Sequence, residues 1–148
     1  MIARARVRRM EARDKDAWRR LFGDYIAFYR ADVPEPVIEA TWRRLLSGSD
    51  GMVGLVAVGD DDRPIGLAHL VFHVSTWSPT AYCYLEDLYV DAASRGSGAG
   101  RALIAATYAE ADRRGATRTY WATETGNAEA RRLYDRVATL SPFVQYRR

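Results

Sequence analysis

The chain has 148 residues, 48% of them hydrophobic and 28% charged, and carries a formal net charge of +3. This size and composition exclude a disordered or fibrous protein and predict one domain spanning residues 1–148. The small net charge, spread over 22 basic and 19 acidic residues, is weak evidence for nucleic-acid binding, and we expect no nucleic-acid partner.

Hydrophobic periodicity, capping residues and turn residues together predict ten elements in the order βααβββαβαβ. Their expected bounds in chain order are residues 3–10 (strand), 14–32 (helix), 34–47 (helix), 52–58, 64–74 and 81–90 (strands), 101–114 (helix), 117–121 (strand), 127–137 (helix) and 142–146 (strand). This order is typical of the α/β (α+β) class, with a mixed, twisted sheet of six to seven strands and helices on both faces.

A glycine-rich turn, DAASRGSGAGR, connects a predicted strand to a predicted helix. Because Gly96, Gly98 and Gly100 lack Cβ atoms, the main chain can approach an anion closely, and the free N–H groups at a helix start stabilise negative charge. Arg95 and Arg101 add positive charge. The segment therefore suits a pyrophosphate, although a plain connecting turn is the alternative interpretation.

Two other phosphate-binding loops do not match this turn. The segment has no GK[ST] sequence, which excludes a P-loop nucleotidase, and Arg101 stands where the dinucleotide fingerprint needs its third glycine. A Rossmann domain is therefore disfavoured.

Two segments resemble the signatures of the GNAT superfamily of N-acetyltransferases. RGSGAG matches the R/Q-x-x-G-x-G/A acetyl-coenzyme A motif and directly follows LEDLYV, while NAEARRLYDRV is similar to the second signature, with an asparagine before a tyrosine-bearing helix. The resemblance is closest to the yeast histone and polyamine acetyltransferases and their bacterial relatives, which share segments similar to DKDAWRRLF, DYIAFY, STW, LYVD and YWATETGNAEA. It covers essentially the whole chain and implies the GNAT fold.

The resemblance implies that acetyl-coenzyme A lies where two strands diverge. Backbone groups of one strand would bond pantetheine, the glycine-rich turn would hold the pyrophosphate, and no metal is implied. The expected cofactor-binding residues are Leu88, Tyr89, Val90, Arg95, Gly96, Ser97, Gly98, Ala99, Gly100, Arg101 and Asn127.

Acetyl transfer to an amine needs a neutral nucleophile and a proton for the departing thiolate. By the resemblance, Tyr134 is the general acid that donates to the coenzyme A sulfur. Glu86 and Asp87 lie beside the expected divergence, and because successive strand residues face opposite ways, only one should face the substrate. We assign Glu86 to take the ammonium proton or to hold the amine, with Asp87 or a water chain as the alternative base.

Four residues are candidates for amine binding. Tyr25, Tyr29 and Trp77 could form an aromatic wall for an aliphatic or cationic amine, with Asp24 nearby as a counter-charge. Core packing is the alternative role for the aromatic residues.

The single cysteine and the two histidines indicate neither a covalent intermediate nor a metal site. Cys83 cannot form an internal disulfide and as a strand residue is expected to be inert, which favours direct transfer over an acetyl-cysteine intermediate. His69 and His73 would lie roughly 13 Å apart on one strand, too far to share a metal. No apolar run approaches the roughly 20 residues of a membrane span, so we expect a cytoplasmic protein without a membrane partner.

Three functions remain open from the sequence. The first is an N-acetyltransferase for a small amine, such as a polyamine, an amino acid or a lysine-like side chain. The second is a protein acetyltransferase acting on lysines or N-termini, and the third is a non-catalytic acyl-coenzyme A sensor. A homodimer is possible, because family members often dimerise and the segment SPFVQY is apolar.

Overall fold

A five-stranded mixed sheet forms the centre of the computed structural model, which describes residues 5–148. The strands lie side by side in sequence order: β1 (Arg6–Arg9), β2 (Met52–Val58), β3 (Pro64–His73), β4 (Tyr82–Val90) and β5 (Arg118–Tyr120). β1 to β4 are antiparallel, and β5 joins β4 in parallel. The mixed sheet confirms the predicted class; residues 3 and 4 of the predicted first strand lie outside the described residues.

Four helices cover the two faces of the sheet, as predicted. They are α1 (Lys15–Phe28), α2 (Glu35–Ser47), α3 (Ala99–Arg113) and α4 (Ala128–Val137). On one face, Trp18 and Leu21 of α1 and Trp42 of α2 are buried against the sheet, and on the other Leu103 and Ile104 of α3 are buried. Each cluster excludes water from one face of the strands, which is the main stabilisation available to a sheet of this size.

Asp14 precedes α1, but its carboxylate does not cap that helix. It accepts two hydrogen bonds from the Arg8 guanidinium, at 2.8 and 2.9 Å, and one from the backbone N–H of Glu11 at 2.8 Å. Burial raises the pKa of the carboxyl, and the bonds from Arg8 and Glu11 outweigh it, so the net pKa is lowered. The buried ion pair fixes β1 to the start of α1.

A register irregularity interrupts β4 at Glu86. Leu85 pairs with Leu70 of β3, and Asp87 pairs with His69, so Glu86 is an extra residue without a β3 partner. Such a bulge bends a strand and increases its twist. β5 pairs only with Tyr82 to Tyr84, before the bulge, so that the far edge of β4 beyond it has no strand beside it within residues 5–148.

The predicted last strand, residues 142–146, is wrong for this structure. Residues 138–148 form no helix or strand, and Leu140, Phe143, Val144 and Tyr146 are between 72% and 93% exposed. A strand needs a neighbour to satisfy its backbone groups, and none of the described strands lies beside this segment. The sheet therefore has five strands rather than six or seven.

None of the helices between residues 5 and 148 is both long and apolar enough to cross a membrane.

Candidate functional site

A cleft of about 440 Å³ opens beside the end of β4. It lies between α1, the turn before α3, and α4. Its walls include thirteen of the residues selected from the sequence, namely Tyr25, Tyr29, Leu88, Tyr89, Val90, Arg95, Gly96, Gly98, Ala99, Gly100, Arg101, Asn127 and Tyr134. Residues widely separated in the chain thus meet in one space.

The glycine-rich turn presents its main chain to this cleft. Gly96 and Gly98 have φ of +83° and +82°, a region that residues with a Cβ rarely adopt, and a Cβ at either would meet nothing within 4 Å. α3 begins at Ala99, two residues earlier than predicted, and its first intrahelical bond runs from the Ala102 N–H to the Gly98 carbonyl at 3.0 Å. The N–H groups at positions 99–101 therefore have no acceptor within the helix, as an anion site requires.

Side chains of the turn fit the same negatively charged ligand. The Ser97 hydroxyl does not line the cleft; it is buried and has no hydrogen-bond partner within residues 5–148, a situation that costs about 1–3 kcal/mol unless a ligand or water supplies one. Arg95 and Arg101 line the cleft, and the Arg95 guanidinium lies 5.8 Å from the centre of the Tyr89 ring. Free amides and two guanidinium groups are donors that suit a pyrophosphate.

Asn127 and Tyr134 are placed by α4. The Asn127 side chain accepts a hydrogen bond from the Ala130 N–H at 3.3 Å, which caps the helix as predicted. Tyr134 lies two turns later on the cleft side, with its ring 5.4 Å from that of Trp121. Burial raises the pKa of the Tyr134 hydroxyl to about 12, so this group keeps its proton at neutral pH.

The candidate amine-binding residues are only partly brought together. Tyr25 and Tyr29 meet edge to face with ring centroids 5.0 Å apart and line the cleft. Asp24 lies on α1, where its carboxylate pairs with Arg20 at 3.7 Å, and it does not line the cleft. Trp77 is 85% exposed in the loop before β4 and is also absent from the lining.

The two neighbouring acids of β4 have different surroundings because of the bulge. The Glu86 side chain is exposed and does not line the cleft. Its pKa is raised, first by partial desolvation and then by the charge of Asp87. The Asp87 carboxylate is bonded to the buried His69 imidazole at 2.8 Å, and after burial, the charge of Asp87 raises the pKa of the cleft residue Tyr25. Side chains therefore do not alternate regularly between the two faces of the sheet in this part of β4.

Comparison with known proteins decides what kind of cleft this is. The Acetyltransferase (GNAT) family matches residues 16–138. The chain belongs to this family. It is also 33% identical over 143 residues to the D-amino-acid N-acetyltransferase HPA3 of Saccharomyces cerevisiae, an alignment covering 96% of this chain and 89% of that protein.

Solved structures of acetyltransferases share the fold of this GNAT protein. A putative acetyltransferase from Arthrobacter sp. FB24 is 28% identical, with a TM-score of 0.80 over 96% of this chain and 94% of its own. The aminoglycoside N-acetyltransferase AAC(6')-Iy, in complex with CoA, is 19% identical, with a TM-score of 0.83 over 99% of this chain and 95% of its own. The second likeness shows the fold alone.

As a GNAT enzyme, the protein is an acetyl-coenzyme A-dependent N-acetyltransferase, and acetyl-coenzyme A is its co-substrate. The open backbone edge of β4, the free amides at the start of α3 and the two arginines Arg95 and Arg101 fit that ligand. Within residues 5–148, no group of three or more His, Cys, Asp or Glu side chains is placed to hold a metal ion.

Some lining residues of this GNAT cleft were missed by the sequence analysis. Phe28 of α1 and Ala130 of α4 are examples, at three residues from Tyr25 and four residues from Tyr134. Projecting each helix from Tyr25 or Tyr134 by three and four positions would have found these two but not Glu129 or Leu133.

Proposed function

We propose that this GNAT enzyme acetylates the primary amine of a small molecule, such as a polyamine, an amino acid or a lysine-like side chain. One observation carries the proposal: the glycine-rich turn, the open edge of β4, Tyr134 and the Tyr25–Tyr29 pair line a single cleft of about 440 Å³. The volume of this cleft is in the range of small-molecule and cofactor sites. The relative named as a D-amino-acid N-acetyltransferase supports a small amine as acceptor.

Three parts of the cleft would bind acetyl-coenzyme A, which supplies the activated acetyl group. Backbone groups of Leu88, Tyr89 and Val90 would bond pantetheine along the edge that β5 leaves free. The turn and the start of α3 would hold the pyrophosphate through Gly96, Ser97, Gly98, Ala99, Gly100 and both arginines, Arg95 and Arg101. Asn127 would act by capping α4 and so fixing the opposite wall.

Two ionisable side chains are proposed for the proton steps. The amine attacks the thioester directly while both substrates are bound, and Tyr134 donates a proton to the departing sulfur, a role supported by its place in the cleft and its retained proton. Glu86 accepts the ammonium proton through water or holds the amine. Tyr25 and Tyr29 supply aromatic faces to the acceptor, with Asp24 and Trp77 contributing at the outer side.

The test is release of coenzyme A thiol from acetyl-coenzyme A across polyamines, D- and L-amino acids and lysine peptides. Tyr134→Phe should slow turnover at least tenfold, whereas Tyr108→Phe, which removes a hydroxyl outside the cleft that donates to the Val137 carbonyl, serves as the matched control. Turnover only on lysine peptides would shift the function to protein acetylation. Tight cofactor binding without any turnover would shift it to a sensor.

The proposal also includes a cytoplasmic homodimer. The buried, unpaired thiol of Cys83 is compatible with a reducing compartment. The exposed apolar side chains of residues 140–146 and the free edge of β5 are surfaces that a second copy would cover. Light scattering during gel filtration distinguishes a dimer from a monomer, and a monomeric mass at micromolar concentration would contradict this part.

A further inference from the structure

Three side chains form a hydrogen-bonded chain from the core to Asp87, which does not itself line the cleft but adjoins the lining residues Leu88 and Tyr25. The Trp18 indole N–H lies 2.9 Å from His69 Nε2, and His69 Nδ1 lies 2.8 Å from a carboxylate oxygen of Asp87. Trp18 and His69 are 1% and 2% exposed, whereas the Asp87 side chain is 18% exposed. The chain thus begins in the dry core between α1 and the sheet and ends where solvent or ligand can reach.

The partners determine which nitrogen of His69 carries the proton. An indole N–H can only donate, so His69 Nε2 must accept and cannot hold a hydrogen. Nδ1 therefore carries the single proton and donates a hydrogen bond to Asp87, and the imidazole is neutral. Because Phe22 packs edge to face against the imidazole with ring centroids 4.9 Å apart, the ring is also held in place by packing.

A neutral imidazole leaves the negative charge of Asp87 uncompensated. Within residues 5–148, Asp87 has no arginine or lysine within ion-pair distance, and the neutral imidazole of His69 is bonded to its carboxylate. A mostly buried carboxylate without a cation is costly, and it attracts a positively charged ligand that can reach it. The groups that face it are Tyr25 from α1, His69 from β3 and the neighbouring acid Glu86 on its own strand.

The bulge is what directs this carboxylate. Because Glu86 is an extra residue, Asp87 lies directly opposite His69 and on the side of the sheet covered by α1. Leu88, the next residue, already lines the cleft, as does Tyr25. Asp87 is therefore placed between the buried His69 and the aromatic wall.

From these contacts we infer that Asp87 binds the ammonium group of the acceptor, and that His69 and Trp18 are positioning residues that hold its carboxylate in the correct orientation. The inference rests on the proposed function and assigns one residue to the recognition of a cationic amine. His69 and Trp18 do not touch the substrate. Their effect reaches it through the geometry and charge of Asp87.

A spectroscopic test does not depend on turnover. The sequence contains two histidines, so long-range proton–nitrogen spectra of the imidazoles can be assigned with one variant, His73→Gln. Wild type should show His69 protonated at Nδ1 alone, and addition of putrescine to the coenzyme A complex should shift its signals, whereas the neutral isostere 1,4-butanediol should not. A proton on Nε2, or equal shifts with both compounds, would overturn the inference.

Kinetic variants separate positioning from simple packing. Asp87→Asn should raise the KM for putrescine roughly 10- to 100-fold with less than about a twofold change in the KM for acetyl-coenzyme A, because a charged hydrogen bond becomes a neutral one. His69→Leu should raise the amine KM about tenfold or more. His69→Asn, whose amide can still donate to Asp87, should recover most of the loss.

Two matched tryptophan variants test the hydrogen bond from Trp18 to His69. Trp18→Phe removes the N–H that fixes the His69 tautomer, whereas Trp42→Phe makes the same change in a neighbouring ring 5.2 Å away that donates no hydrogen bond to His69. Only Trp18→Phe should alter the His69 spectrum and raise the amine KM. Equal effects of the two variants would show a packing role and refute the inference. Absence of turnover by wild type on every amine would instead refute the proposed function, with the spectra still deciding the role of His69.

Discussion

Replacing Gly98 by alanine should separate the two reasons for a glycine in the phosphate turn. The residue has φ of +82°, and a Cβ there would meet nothing within 4 Å, so the change introduces backbone strain without a clash. A left-handed backbone conformation destabilises a folded residue other than glycine by about 1–2 kcal/mol. Alanine also restricts the unfolded chain, and this loss of unfolded-state entropy offsets about 0.4–1 kcal/mol of that cost. The net loss of stability should be about 1 kcal/mol, or about 2–4 °C in Tm for a chain of this length.

The same methyl group should affect cofactor binding far more than stability. It would extend into open space at a cleft-lining residue that directly precedes the free amides of α3, where we propose that a phosphate binds. Loss of one charge-assisted hydrogen bond costs about 1.5–3 kcal/mol, so the KM for acetyl-coenzyme A should rise about 10- to 100-fold. The KM for the amine should change little.

Gly115 provides the control for backbone strain. It has φ of +70° just after α3, and a Cβ there would lie 4.0 Å from the nearest atom, in Thr80, away from the cleft lining. Gly115→Ala should lower Tm by a similar amount and leave the KM for acetyl-coenzyme A unchanged. Thermal melting and thiol-release kinetics measure both quantities. If both variants raised that KM equally, or neither did, the assignment of the turn to phosphate binding would be refuted.

Three further predictions concern titrating side chains. Because burial raises the pKa of Tyr134 to about 12, the rate profile of wild type should show no loss of this proton up to pH 10, and Tyr134→Phe should lower kcat at least tenfold across that range. Cys83 is fully buried with its pKa raised to about 11, so native protein should resist thiol reagents at pH 8 and Cys83→Ala should keep its turnover; rapid labelling would contradict this. Hydrogen bonds first from Arg13 and then from Arg8 lower the pKa of Asp62 from 3.8 to about 2, so its stabilising effect is present above pH 4 and lost as pH falls through 2. Asp62→Asn should therefore be less stable than wild type at pH 7, with the difference in Tm disappearing near pH 2.

Local signals explain why much of the fold was predictable. β2 was predicted with its observed bounds, and α2 and α4 end where the sequence signals indicated, because apolar spacing and residues such as Asn127 act within a few positions. The turn before α3 was recognisable for the same reason, since its three glycines and two arginines lie within residues 95–101. The amide donors and the positive charge of the proposed phosphate site all come from this short segment.

Long-range pairing explains what the sequence did not predict. His69 and Asp87 meet because the β3–β4 register shifts by one residue. No pattern of neighbouring residues in the sequence predicts that shift. Trp18 reaches His69 from another element, 51 positions away in the chain. The segment 142–146 has strand-like composition, yet pairing requires a neighbouring edge, which composition does not describe.

The extra residue at position 86 makes the length of β4 a functional variable. Without Glu86, Leu85 and Asp87 would be consecutive, and both would keep their present β3 partners in an unbroken ladder. The bend would then disappear, and β5 could continue pairing along the strand and cover the backbone edge that now faces the cleft. A single deletion would thus leave the glycine-rich turn, Tyr134 and Asp87 in the chain but, under the cofactor binding proposed above, remove the room for pantetheine. When such chains are aligned or redesigned, the spacing within this strand carries information that the identities of the lining residues do not.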